Sequence, residues 1–225
     1  MKIVERPSPN HDARPEGAPV DILVLHYTGM RTAEEALARL CDPAAKVSAH
    51  YTIDRDGTVY AHVPEERRAW HAGLSFWAGE RNVNARSVGI ELVNPGHAFG
   101  YIPFTDDQVG ALAILARAIL ARHPIAPTRV LGHSDVAPSR KSDPGELFPW
   151  ARLAQDGIGA WPPVRGAAAV QGASAFRADL TRFGYDPDAP LQDVVAAFQR
   201  HFRPSCVDGI ADSECASLLN ALLAL

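Results

Sequence analysis

Cysteine is scarce in this chain. Three residues in 225, Cys41, Cys206 and Cys215, make neither a disulfide framework nor the CxxC pairs of a thiolate zinc site. Cys206 and Cys215 are near enough in sequence to pair, but free buried thiols are the expectation. Any metal must then be held by histidine and carboxylate. Long apolar runs are missing too. None approaches the roughly 20 residues of a membrane-spanning helix, and Met1 to Pro7 has no hydrophobic signal core. The expected location is the cytoplasm, with periplasm or envelope as the alternative if an export signal has been removed. A net charge of −4 gives no reason to expect nucleic acid or an anionic membrane as partner. With 47% apolar and 21% charged residues, the composition is that of an ordinary folded protein.

Residues 1–20 carry four prolines and read as an extended arm laid over a domain. Asp21-Ile22-Leu23-Val24-Leu25 reads as a buried strand ending at His26. Thr32 with Glu35 forms a capping box that opens a helix lasting until Pro43. Tyr51 to Asp54 and Thr58 to Ala61 flank Asp56-Gly57, a hairpin signal. Ser87 to Val93 alternates, with Val88, Ile90 and Leu92 on one face and Gly89, Glu91 and Val93 on the other. Thr105 and Gln108 cap an amphipathic helix that Pro124 stops. Arg129-Val130-Leu131 is a last short strand leading into Gly132-His133. Strands interleaved with helices predict an α/β fold with a mixed central β-sheet flanked by helices. That catalytic unit is expected over 1–162, a linker over 163–170, and a small three-helix domain over 171–225, with helices near 173–183, 191–202 and 212–224. A unit so small buries little core and is marginal alone.

Two strand-end histidines, His26 and His133, and a loop carboxylate, Asp143, meet the needs of a catalytic metal. Such a site takes three nitrogen or oxygen ligands from rigid elements and leaves a fourth position open. Singly, each has a plainer reading: a strand-end histidine is usually a hydrogen-bonded rim residue, and Asp-Pro-Gly usually a turn. Glu91 interrupts an apolar strand. Desolvation there raises a carboxyl pKa toward that of a general acid/base, unless the face is solvated. Lys141 shares a side of an extended loop with Asp143 and is placed to stabilise an oxyanion; lone surface lysines are commoner. Read one at a time, these residues leave both possibilities open.

As an ordered set they do more. Leu25-His26-Tyr27-Thr28, Ser48-Ala49-His50-Tyr51, Ala69-Trp70-His71-Ala72-Gly73, Val88-Gly89-Ile90-Glu91-Leu92, Gly132-His133-Ser134-Asp135 and Arg140-Lys141-Ser142-Asp143-Pro144-Gly145 resemble the blocks of the zinc-dependent N-acetylmuramoyl-L-alanine amidases. That fold is shared with peptidoglycan recognition proteins, and the two-domain AmiD type is the nearest branch. The resemblance spans residues 20–162. It implies one Zn2+ per chain on His26, His133 and Asp143, with Glu91 as acid/base and Lys141 as oxyanion partner. The implied reaction is hydrolysis of the lactyl–L-alanine amide of muramyl peptides, in peptidoglycan turnover or recycling. A non-catalytic recognition module is the alternative. Trp70, His71, Arg81 and Asn84 are the candidate substrate contacts, with a structural turn at Trp70–Gly73 as the alternative, and His50 is a candidate support for the metal ligands. Phe183-Gly184-Tyr185, the stretch from Ala196 to Phe202 and Asp208-Gly209-Ile210 resemble a peptidoglycan-binding helical module.

Overall fold

The computed structural model describes residues 2–163 and 172–225. In chain order the strands are β1 (Ile3–Glu5), β2 (His11–Ala13), β3 (Ile22–Tyr27), β4 (Tyr51–Ile53), β5 (Val59–Ala61), β6 (Arg67–Ala69), β7 (Ser87–Leu92) and β8 (Val130–Gly132). The helices are α1 (Ala33–Cys41), α2 (Val83–Arg86), α3 (Gly96–Phe99), α4 (Asp106–Arg122), α5 (His133–Val136), α6 (Trp150–Gln155), α7 (Ala173–Phe183), α8 (Leu191–Phe202) and α9 (Ser213–Leu222). Six strands form one mixed sheet in the order β1-β5-β4-β7-β3-β8, and β2 pairs with β6 in a separate ribbon. The mixed α/β fold predicted from the alternating elements is the one observed.

Local chemistry explains most boundaries. Thr32 and Thr105 each accept a hydrogen bond from the backbone N–H three residues on, at Glu35 and Gln108, so α1 and α4 start where the caps predict. The Asp56-Gly57 hairpin pairs β4 with β5 antiparallel, Ile53 opposite Val59. The arm is more than an overlay: β1 adds a parallel edge strand beside β5, and β2 pairs with β6. Three-residue strands carry too little periodicity to be seen in sequence.

The two faces of β3 enter different cores, and β7 shares one of them. Leu23, Leu25, Val88, Ile90 and Leu92 pack with α4 residues such as Leu112 and Ile119. On the other face Ile22 and Val24 share a core with Trp77, Leu131, Val136 and the helical segment's Phe176, Tyr185, Phe198, Phe202 and Leu219. The three C-terminal helices thus bury their apolar stripes against the sheet unit as well as one another, which answers the small size of that unit. Residues 164–170, nearly all of the expected linker, lie outside the described residues. All three cysteines are free as expected, but Cys206 is exposed, on the loop after α8. No helix among the described residues is long and apolar enough to cross a membrane.

Glu65 ties the start of β4 to the end of α4. Its carboxylate accepts from the Tyr51 hydroxyl at 2.7 Å, Arg122 at 2.6 Å and His123 at 2.6 Å. Burial pushes the carboxyl up, but these three donors outweigh it and hold its pKa at about 2, below the ordinary 4.5. A depressed carboxyl stabilises the fold above its unfolded pKa, and that stability disappears as pH falls through the folded value. In Glu65→Gln the thermal midpoint should drop at pH 7 and then decline less steeply than wild type between pH 4.5 and pH 2. Parallel midpoint curves for the two proteins would rule this out.

Candidate metal centre and catalytic cleft

Strand register brings the first two groups together. β3 and β7 run parallel with His26 directly beside Glu91, so both side chains stand on the same face. β8 lies on the other side of β3 and ends at Gly132, which caps the turn of helix carrying His133. The loop beyond α5 returns Asp143, and the Ser134 N–H donates to its backbone carbonyl at 2.9 Å. The two ligand-bearing segments are therefore tied through backbone.

Three atoms converge here. His26 Nδ1 lies 2.9 Å from His133 Nδ1, and Asp143 Oδ2 lies 3.1 Å and 3.0 Å from those two nitrogens. Among the described residues this is the one cluster of potential metal ligands. The surrounding hydrogen bonds settle which nitrogens are free. The Ser87 hydroxyl donates to the Val83 carbonyl at 2.7 Å, so its lone pair accepts from His71 Nε2 at 3.1 Å. His71 Nδ1 then accepts from His26 Nε2 at 3.0 Å, which leaves the His26 Nδ1 lone pair pointing into the cluster. His133 Nε2 donates to the Ala72 carbonyl at 3.0 Å and likewise leaves Nδ1 free. Such outer partners orient metal-binding imidazoles. Burial, with His133 beside it, lowers the His26 pKa to about 4 against the pull of Asp143, so this imidazole is neutral at pH 7, as a ligand must be. Burial alone would raise Asp143, but His133 and His26 outweigh it and hold that carboxyl well below the usual range. Two imidazole nitrogens and one anionic oxygen make a donor set for a divalent metal.

Glu91 stands beside this set without a partner of its own. Its Oε2 is buried and makes no hydrogen bond. Burial, and then the charge of Asp143, push its pKa well above the ordinary carboxylate value, with Lys141 pulling the other way. Glu91, Lys141, His133 and Asp143 all line a cleft of about 390 Å³ together with Tyr27, Ser48, Trp70, His71, Arg39 and Arg140, a size suited to a small ligand.

The remaining expected residues separate. Trp70 lines the cleft. His71 is buried in its wall and serves as the orienting partner of His26. His50 does not take that place: its Nδ1 accepts from the Gly89 N–H, and its Nε2 faces Arg14 and the Arg67 carbonyl. Asn84 Oδ1 accepts from the backbone N–H groups of His71 and Ala72, so it holds the loop that supports both ligands. Arg81 lies outside the cleft, paired with Asp188 at 2.7 Å and stacked over Phe76. Sequence reading does not single out Ser87, whose role depends on a partner 16 positions away. Its only trace is that it shares a strand face with Gly89 and Glu91.

Gly89 leaves room for His71: a Cβ there would sit 2.5 Å from the ring. Gly89→Ala should push that ring off His26 and weaken metal binding by about 10–100-fold, the usual cost of losing an outer partner. Calorimetric metal titration checks this, and unchanged affinity would sink it.

The chain is similar to known proteins along most of its length. A family profile described as N-acetylmuramoyl-L-alanine amidase matches residues 16–146. The amidase AmiD of Escherichia coli (strain K12) is 41% identical over 231 residues, covering 91% of this chain and 82% of that protein. The 1,6-anhydro-N-acetylmuramyl-L-alanine amidase AmpD of Enterobacter cloacae is 37% identical over 65% of this chain and 86% of its own length. The solved E. coli AmiD complex with anhydro-N-acetylmuramic acid-L-Ala-D-gamma-Glu-L-Lys matches with a TM-score of 0.84 at 39% identity, covering 93% of this chain and 91% of that one.

Proposed function

The chain belongs to the N-acetylmuramoyl-L-alanine amidase family, and from that premise we propose how its own residues perform the hydrolysis. The bond cut is the amide between the lactyl group of (anhydro-)N-acetylmuramic acid and the L-alanine of the stem peptide, in peptidoglycan turnover and recycling. His26 Nδ1, His133 Nδ1 and Asp143 Oδ2 would hold one zinc ion. These three donor atoms lie 2.9–3.1 Å from one another, and nitrogen and oxygen donors of this kind suit zinc. When bound, zinc supplies Lewis acidity toward the lactyl carbonyl and acidifies water.

Glu91 takes a proton from the attacking water and delivers it to the departing alanine nitrogen, a role suited to a carboxyl whose pKa is raised. Lys141 stabilises the oxyanion that develops on the carbonyl oxygen. Trp70 forms part of the wall against which the substrate lies. Arg39 and Lys141 give the cleft cationic character, in keeping with a peptide rich in carboxylates.

The observation that carries this reading is the meeting of an N,N,O donor set with a half-buried carboxylate on the adjacent strand, whose Oε2 is buried and unpartnered. Incubating the zinc-loaded protein with anhydro-N-acetylmuramic acid-L-Ala-D-γ-Glu-L-Lys should release a tripeptide with a free alanine amine, seen by mass spectrometry. A chelator should stop the release and added zinc restore it. If no peptide appears at any zinc loading, the hydrolase reading is wrong.

A further inference from the structure

Asp135 lies two residues beyond His133, is 1% exposed, and is held by the C-terminal segment. The Tyr185 hydroxyl donates to its Oδ1 at 2.7 Å, and His201 Nδ1 to its Oδ2 at 2.7 Å. The same Oδ2 accepts the Gly132 N–H at 2.7 Å, the bond that closes the start of α5 just before His133. His201 is itself 2% exposed, and its ring stacks on Trp150 with centroids 3.7 Å apart. Trp150 in turn backs Gly132, where a Cβ would come within 3.4 Å of the indole.

The seam is fastened elsewhere as well. The Ala78 N–H donates to the Gly184 carbonyl at 2.8 Å, and Trp77 packs edge-on against Tyr185. An ordinary docking surface needs none of this polar detail at its centre. Burying a carboxylate is costly unless its partners are in place, and here two of the three partners come from the C-terminal segment: Tyr185 from the loop after α7 and His201 from α8.

We propose that Tyr185 and His201 are positioning residues for the metal centre: through Asp135 they fix the turn that presents His133, so the C-terminal helical module is a brace for the catalytic site. The inference rests on the reading of His133 as a metal ligand. Without Tyr185 or His201, Asp135 is free to rotate away from Gly132, and the first turn of α5 loosens. His133 Nδ1 then no longer arrives at a fixed distance from His26 and Asp143. Folding survives this loosening more readily than metal affinity does, because a ligand set tolerates little displacement.

The test uses the full chain and measures two quantities: zinc affinity by chelator competition, and the thermal midpoint of the metal-free protein. Tyr185→Phe and His201→Leu should each weaken zinc binding about tenfold, at the lower end of outer-partner effects. His201→Asn, which restores an N–H donor, should recover most of the affinity. Leu219→Ala removes buried volume from the same helices without touching Asp135, so it should lower the midpoint and leave zinc affinity within about twofold. Should His201→Leu fail to fold, Tyr185→Phe decides alone. If Tyr185→Phe moves only the midpoint, as Leu219→Ala does, the brace is refuted. A wild-type chain that binds no zinc would instead overturn the metal assignment itself.

Discussion

Glu91→Gln should keep its metal and lose turnover by about 10²–10⁴-fold, the usual contribution of a positioned acid/base. Glutamine matches the shape of the carboxyl and can neither accept a proton from water nor return one to the alanine nitrogen. Glu91 belongs to none of the three donor contacts, so zinc affinity should stay within a small factor of wild type. The same substitution should stabilise the metal-free fold at neutral pH. Burial and Asp143 raise the folded pKa of Glu91, and a group so raised contributes its full stability below the unfolded value near 4.5. That contribution is lost as pH rises toward the folded value, where a buried charge must form. The substituted amide carries no such charge. Turnover near the wild-type rate would exclude Glu91 as the acid/base; lost turnover accompanied by lost zinc would instead make it a ligand.

Asp143→Ala should abolish both activity and metal retention. Asp143 supplies the only anionic atom of the set, and its Oδ2 is at hydrogen-bonding distance from both ligand imidazoles. Without it, two imidazole nitrogens 2.9 Å apart remain, too few for a catalytic zinc site. The loss of zinc affinity should exceed the ~100-fold upper end of outer-partner effects, measured by chelator competition alongside peptide release. His26→Ala should behave in the same way. An Asp143→Ala protein that holds zinc as wild type does would remove Asp143 from the ligand set.

How much of this is legible in the chain differs from residue to residue. The alternation of Ser87 to Val93 puts Glu91 opposite an apolar face, and the apolar run before His26 marks a buried strand; both elements are where those patterns predict them. The caps at Thr32 and Thr105 and the turn at Asp56-Gly57 are local hydrogen-bonding and φ/ψ preferences, readable within four residues. His26, His133, Asp143, Glu91 and Lys141 are legible only as an ordered set; in the structure the last four line one cleft and His26 is buried against His133 and Asp143. For Arg81 and Asn84 the expectation is contact with the carboxylates of a peptide substrate. In the structure Arg81 pairs with Asp188 and Asn84 clamps the loop under the ligands, because both partners are fixed by packing.

The residue types of the candidate metal centre, the strand face of Glu91 and the family were determined by the sequence alone, since side-chain chemistry and two-residue periodicity are properties of short segments. The tertiary structure decided the rest: that His71 and Ser87 set the tautomer of His26, that Ala72 sets that of His133, and that Tyr185 and His201 grip Asp135. Each of these is a hydrogen bond between segments 16 to 66 residues apart. Such bonds exist only once two cores have closed on opposite faces of the sheet, and no local pattern along the chain encodes which donor will then face which acceptor.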